Sequence, residues 1–209
     1  MNTTEQIVNW AFAEFTNEEI CKMSDDSKDF VESIESKNEQ KLTHLFENVL
    51  VDIEPRHRYV LCRLLNENGF GDICEKNVDD VYGVVFQVGL DSGSETLSVY
   101  PNREGWYINY TGKTIKLLPL SENDDKHGLN PLIDLLFKVA DKTAPLLEAH
   151  GYNRIQTIAN QNVRINFLTG GGLRSTEYKM SEIDRSSAVG MIFGLGTKIL
   201  QILVEMSVG

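Results

Sequence analysis

The sequence predicts an α+β protein with one mainly antiparallel sheet of five or six strands, helices packed on one face, and an N-terminal helical segment before it. Three observations predict this. Apolar residues recur at three- and four-residue spacing through the first 70 positions, strict two-residue alternation begins at Val81, and the chain then runs as helix, two-stranded hairpin, helix. The expected organisation is a helical segment over 1–70 and a sheet domain over 80–209, together forming one compact unit. A chain of 209 residues can bury such a core without disulfide or metal support.

Thr3 and Gln6 match a capping box, and Ile7, Trp10, Ala11 and Phe15 then form an apolar stripe. Ser24 or Asp25 can cap a second helix through Phe30 and Ile34. Leu42, Leu45, Phe46, Val49 and Leu50 give the clearest helical periodicity in the chain. Pro55 suits a helix first turn, and the stripe Val60, Leu61, Leu64, Leu65 closes at Asn68-Gly69. From Val81, Tyr82, Val84, Phe86, Val88 and Leu90 alternate as a strand. Leu97–Tyr100, Trp106–Tyr110 and Thr114–Leu118 follow across turns at 91–94 and 101–105, a meander. Asn130-Pro131 reads as the N-cap and first turn of a helix running through Leu146-Leu147 to His150-Gly151, with Pro145 as a kink. Val163, Ile165 and Phe167 form a strand, Gly170-Gly171-Gly172 a turn, Leu173–Met180 the return strand, and about 186–206 a buried final helix.

Charge is unevenly distributed. The chain carries a net −11, and residues 1–55 hold 13 acidic against 4 basic side chains, whereas residues 130–209 hold 7 against 8. An acidic N-terminal surface repels phosphates and anionic lipid and attracts basic proteins; equally, it keeps a protein soluble. The expected partner is therefore a protein with a basic surface, not nucleic acid or membrane, with a homodimer as a further option. Cys21, Cys62 and Cys74 are odd in number and lack CxxC spacing, which suits a reducing cytoplasm. MNTTEQIVNW lacks the basic and apolar regions of a secretory signal.

Motifs for chemistry are weak. Residues 123–134 follow a calcium loop only in part, because Asn123 stands first and Asp134 rather than Glu closes it. The triple glycine has no P-loop lysine, and Glu177-Tyr178-Lys179 lacks a second acidic partner for a nuclease metal. His44, His57, His127 and His150 are scattered, and no GxSxG occurs. No catalytic residue, metal site or cofactor is therefore expected. Gly190 and Gly194 stand four apart on the final helix, a spacing for close packing in the core or across a dimer.

Strand parity suggests a binding surface instead. If Trp106, Ile108 and Tyr110 face the core together with Val163, Ile165 and Phe167, then Tyr107, Asn109, Arg164 and Asn166 point the other way, with Tyr100, Gln87 and Ser98 beside them. Aromatic, amide and guanidinium groups on a rigid sheet suit recognition of a protein; the alternative is an ordinary solvated sheet face.

The stretches Trp106-Tyr107-Ile108-Asn109-Tyr110-Thr111-Gly112-Lys113 and Val163-Arg164-Ile165-Asn166-Phe167-Leu168-Thr169 resemble those of an uncharacterised bacterial family with YINYSGK-like and VRLNFLT-like strands. That resemblance implies a bacterial source and no particular activity. The element order also resembles the type III secretion chaperone fold, which implies an acidic, cytoplasmic, dimeric binder of other proteins; this likeness is one of fold, without a shared motif. Together these readings lead to a non-enzymatic cytoplasmic protein-binding module, chaperone-like or immunity-like. The alternative is a small-molecule-binding or enzymatic domain with a pocket between the sheet and the helix from Asn130.

Overall fold

The N-terminal third builds a helical layer from short amphipathic pieces. In the computed structural model, which describes residues 4–155 and 157–208, these are Thr4–Ala11 (α1), Asn17–Cys21 (α2), Asp25–Glu35 (α3), Glu39–His44 (α4) and Pro55–Glu67 (α5). The Thr3–Gln6 capping box lies outside the described residues. The sequence reading misses α2, whose five residues are too few for a periodic signal. What starts it is a capping box: Thr16 Oγ1 accepts from Glu19 N at 3.2 Å, and Glu19 Oε2 accepts from Thr16 N at 2.8 Å. Ser24 caps α3 by accepting from Ser27 N. After α4 the chain continues as a π-helical turn, Leu45–Val49, in which Leu50 N bonds Leu45 O. Such a turn leaves carbonyls that the buried Arg58 satisfies, its Nη1 donating to Phe46 O at 2.6 Å and Leu50 O at 3.2 Å.

Six strands follow: Val81–Leu90 (β1), Gly93–Val99 (β2), Gly105–Ile108 (β3), Thr114–Leu117 (β4), Asn162–Thr169 (β5) and Gly172–Lys179 (β6). All neighbours are antiparallel, in the order β4-β3-β2-β1-β5-β6. β3 stops at Ile108, two residues short of its expected end, because Asn109 Oδ1 accepts from Thr111 N and Lys113 N and turns the chain. Gly170 and Gly171 form the two-residue loop between β5 and β6, as expected of a hairpin turn.

Two helices complete the chain, Leu129–Thr143 (α6) and Ala188–Val208 (α7). The carboxylate of Asp125 caps α6, accepting from Leu129 N at 2.6 Å and Asn130 N at 2.8 Å. Asn130, expected as the cap, sits inside the helix and donates to Leu120 O. The helix ends at Thr143, and Pro145 lies in a following 3₁₀ turn, because its missing N–H cannot extend the α pattern.

Both faces of the sheet are buried. On face one, Val84, Phe86, Leu97, Val99, Val163, Ile165 and Phe167 pack against Ile133, Leu136 and Ala140 of α6 and Ile192, Ile199 and Leu203 of α7. On face two, Val85, Tyr100, Trp106, Leu168 and Leu173 pack against the N-terminal layer through Phe12, Phe46, Tyr59, Leu61 and Leu65. The expected one-sided packing thus describes α6 and α7, while the N-terminal segment covers the opposite face. Tyr100 ties the layers together: its hydroxyl donates to Ala11 O at 2.8 Å, and Arg56 stacks over Tyr100 and Trp106 while pairing with Glu54 and Glu104.

α7 approaches the sheet at Gly196, where a Cβ would fall 2.6 Å from the Phe86 ring, whereas a Cβ on Gly194 would meet nothing within 4 Å. Gly196→Ala is therefore expected to lower unfolding free energy by about 1–3 kcal/mol through overpacking. Gly194→Ala is expected to raise it by about 1 kcal/mol through helix propensity. Urea denaturation of the two variants beside the parent checks both signs.

Candidate functional site

The residues nominated from strand parity do not form one surface. The register pairs Phe86 with Leu97 and Leu97 with Tyr107, so Tyr107 lies on face one. Gln87 pairs with Arg164, and Val85 with Asn166, so Arg164 and Asn166 lie on face two, with Tyr100 and Ser98. Trp106 shares face two, as its pairing with Ser98 requires, and so stands opposite Val163, Ile165 and Phe167. Asn109 belongs to neither face, its carboxamide being spent on the turn after β3. The phase of β3 relative to β5 passes through β1, where Val84, Val85 and Phe86 are all buried, so apolar alternation there does not say which face is which.

Nor is the face-two cluster open to a partner. Residues 151–155 and 157–160 cross over it, and Gln161 N donates to Gly89 O. A Cβ on Gly89 would fall 2.0 Å from Ala159 O, so glycine is what lets the crossing segment lie flat on β1. Arg164, only 4% exposed, donates through Nε and Nη2 to Glu177 Oε2 at 2.9 and 2.5 Å. Its Nη1 donates to Ile155 O at 2.9 Å and its Nη2 to Thr157 O at 2.7 Å. Asn166 donates to Val85 O and Gln87 Oε1 and accepts from Ser175. This is an internal network in which the guanidinium of Arg164 finds a carboxylate and two carbonyls. Arg154 then fastens the same segment to the N-terminal layer, donating to Asn9 Oδ1 at 2.9 Å with its guanidinium over the Phe12 ring.

Burial alone would push the Glu177 carboxyl up, but the hydrogen bonds from Asn162 and Arg164 and the charge of Arg164 outweigh it and hold the group below its ordinary range. The other motif residues are occupied in similar ways. Asp125 of the calcium-like loop caps α6, Asp124 accepts from Ser121, and among the described residues no three His, Cys, Asp or Glu side chains converge on one point. His57 sits beside Glu54 in the Arg56 cluster, its imidazole pushed down by burial against the pull of the Glu54 charge.

Open apolar surface lies on the other side of the molecule, at α7. This is the one helix among the described residues long and apolar enough to cross a membrane, with a mean hydropathy of 1.5 over its apolar window. It packs on face one through Ile192, Ile199, Ile202 and Leu203, yet only 33% of that window is buried. Its outer side forms a shallow groove of about 400 Å³ with an apolar floor of Gly190, Met191, Phe193 and Gly194, and with Arg185 and Lys198 at the rim. Phe193 and Thr197 continue the groove into a notch between α7 and the sheet, lined by Phe86, Leu97 and Tyr107. The Tyr107 hydroxyl faces Glu95, and burial together with that contact pushes it up to about 12. The notch holds only about 40 Å³, far less than the several hundred Å³ of a small-molecule site. Beside α6, whose buried face is filled by Leu129, Ile133, Leu136 and Ala140, an open concavity of about 560 Å³ lies between Phe137 and Asp141 of the helix and Val81 and Tyr82 of β1, where a pocket between sheet and helix is expected. Of the nominated residues, only Tyr107 borders the open surface at α7. The signal that marks it in the sequence is the helical spacing of Gly190, Gly194 and Met191 on an otherwise apolar helix.

No family model, characterised protein or solved structure matches the chain.

The Arg164–Glu177 pair sets a stability expectation. Arg164→Ala strands Glu177 and two carbonyls and is expected to cost about 3–5 kcal/mol in denaturant unfolding. Because the folded-state pKa of Glu177 is depressed, its contribution is complete above the unfolded-state pKa and fades as pH falls through the folded one. Glu177→Gln should therefore flatten the acid side of the stability–pH curve, and an unchanged slope would refute the assignment.

Proposed function

We propose that this protein is a non-enzymatic protein-binding module that holds a partner segment along the outer side of α7. The observation that supports the reading is the unburied apolar groove on that helix. Large apolar patches on a protein's surface mark interaction sites, and this one leaves room for a backbone to approach at Gly194. The partner segment has apolar side chains for the floor, one of them small enough for the notch beside Tyr107, and carboxylates to meet Arg185 and Lys198. The alternative, a small-molecule-binding or enzymatic domain, would use the concavity of about 560 Å³ between α6 and β1. Attraction of a basic partner belongs to the acidic N-terminal layer on the opposite side of the sheet. A cytoplasmic setting, a bacterial source and a chaperone-like or immunity-like role form part of the same proposal.

Gly194→Trp tests it, because the position is open and the substitution fills the groove while leaving the packing on Phe86 alone. The parent protein, immobilised in native lysate, is expected to retain a stoichiometric partner that Gly194→Trp loses by tenfold or more, with the variant melting no lower than the parent. Equal retention by both, or no retained protein at low and moderate salt, overturns the reading.

A further inference from the structure

We propose that the pocket between the turn after α1, α5 and the crossing segment binds a small monocarboxylate, gripped by Arg63 and Arg154 in place of Glu14. The pocket encloses about 350 Å³, within the range of small-ligand sites. Three elements distant in sequence build it. Glu14 and Phe15 come from the turn after α1, where Ala13 takes a φ of 53°, Arg63 from α5, and Tyr152 and Arg154 from the crossing segment. Among the described residues each arginine makes a single hydrogen bond: Arg63 Nη2 donates to Phe15 O at 2.6 Å, and Arg154 Nη2 to Asn9 Oδ1 at 2.9 Å. Arg63 Nε, Arg154 Nε and Arg154 Nη1 are buried and have no hydrogen-bond partner among those residues. The Arg154 side chain is only 7% exposed, so its donors are withdrawn from bulk water as well. Folded proteins leave few buried donors unmet, and charged ones least of all.

Glu14 sits where the ligand's carboxylate binds, and holds that place poorly. Its Oε2 lies 3.5 Å from Arg154 Nε without a hydrogen bond, and burial pushes its carboxyl up against the pull of Arg154 and Arg63. Glu67, the other acid in reach, stands 3.9 Å from Arg63 Nε and is largely turned to solvent. A guanidinium offers its N–H groups as a planar fork that matches the two oxygens of a carboxylate, a match neither glutamate makes here. Turning the part-exposed Glu14 side chain out into water opens the Arg154 fork to the ligand. The charge count then selects a monoanion. With Glu14 turned out, two guanidiniums face Glu67, so one carboxylate brings the site to neutrality, whereas a phosphate dianion overshoots within an already acidic helical layer. The half-buried rings of Phe15 and Tyr152 give the ligand's body an apolar wall, while the Tyr152 hydroxyl is already engaged by Gly170 O and Asn66. An aryl or short alkyl carboxylate fits this chemistry. The pocket belongs to the layer across the sheet from α7, and its occupancy is independent of the groove there.

Benzoate titrated into the full chain at neutral pH tests the inference, with proton–nitrogen correlation spectra following the arginine Nε–H signals. The Arg63 and Arg154 signals are expected to shift saturably, while benzamide, of the same shape without the charge, binds at least about tenfold more weakly and inorganic phosphate moves neither signal. Arg154→Lys keeps the charge but loses the fork, and is expected to weaken benzoate binding at least about tenfold. Glu14→Gln removes the competing charge while keeping the side chain's shape. It is expected to tighten benzoate binding about threefold or more and to melt no lower than the parent. The benzamide comparison and Glu14→Gln leave both arginines in place, so they decide the matter even where Arg154→Lys fails to fold. No saturable shift up to about 10 mM benzoate, equal binding of benzamide, tighter binding of phosphate, or weaker benzoate binding by Glu14→Gln would each overturn the proposal.

Discussion

One of the buried cations, Arg164, governs how one end of this molecule closes. Placing a guanidinium on the inner side of a sheet is costly unless its donors are met, and the cost here is offset by Glu177 across the strand pair and by carbonyls of Ile155 and Thr157 from outside the sheet. Those carbonyls belong to the segment between α6 and β5, so satisfying Arg164 draws that segment over face two. Glycine at position 89 leaves room for it, and Arg154 carries the connection on to Asn9 and Phe12. One side chain's unmet hydrogen bonds thus link the last hairpin, the crossing segment and the first helix.

The consequence is a sheet with both faces spoken for, one by the acidic N-terminal layer and the crossing segment, the other by α6 and α7. Antiparallel sheets often leave one face to water, and a polar row such as Gln87, Arg164 and Asn166 would ordinarily mark that face. Here the row is internal, which removes it as a recognition surface, and among the described residues the outer side of α7 is an apolar area left open. Two of the three glycines on that helix divide the labour: Gly196 admits the Phe86 ring from the sheet, and Gly194 keeps the outward groove flat.

Buried polar chemistry elsewhere follows the same rule of local satisfaction. Arg58 closes the carbonyls that the π-helical turn exposes and stacks on the Phe46 ring. Tyr152 donates to Gly170 O and accepts from Asn66, so the glycine turn, the crossing segment and α5 meet at one hydroxyl. The glycine run thus serves backbone packing against Asn77 and Val78, where a side chain would collide.

The helices α3, α4 and α5, the meander, the final hairpin and α7 were legible in the sequence, because periodicity, caps and turn residues act over a few positions and need no distant partner. The gaps share one cause. Thr16–Glu19 starts a helix too short to show a period, Asp125 takes the capping role from Asn130 through loop geometry, and Tyr107 parts from Arg164 because parity between β3 and β5 depends on the pairing of β1 and β2. By itself, then, the sequence determined the kinds and order of elements, the α+β class and the uneven charge, which are sums of local preferences. Only the tertiary structure decided which sheet face each strand turns inward, that Arg164 is interior, and that α7 keeps an open side, since each depends on groups far apart in the chain satisfying or excluding one another.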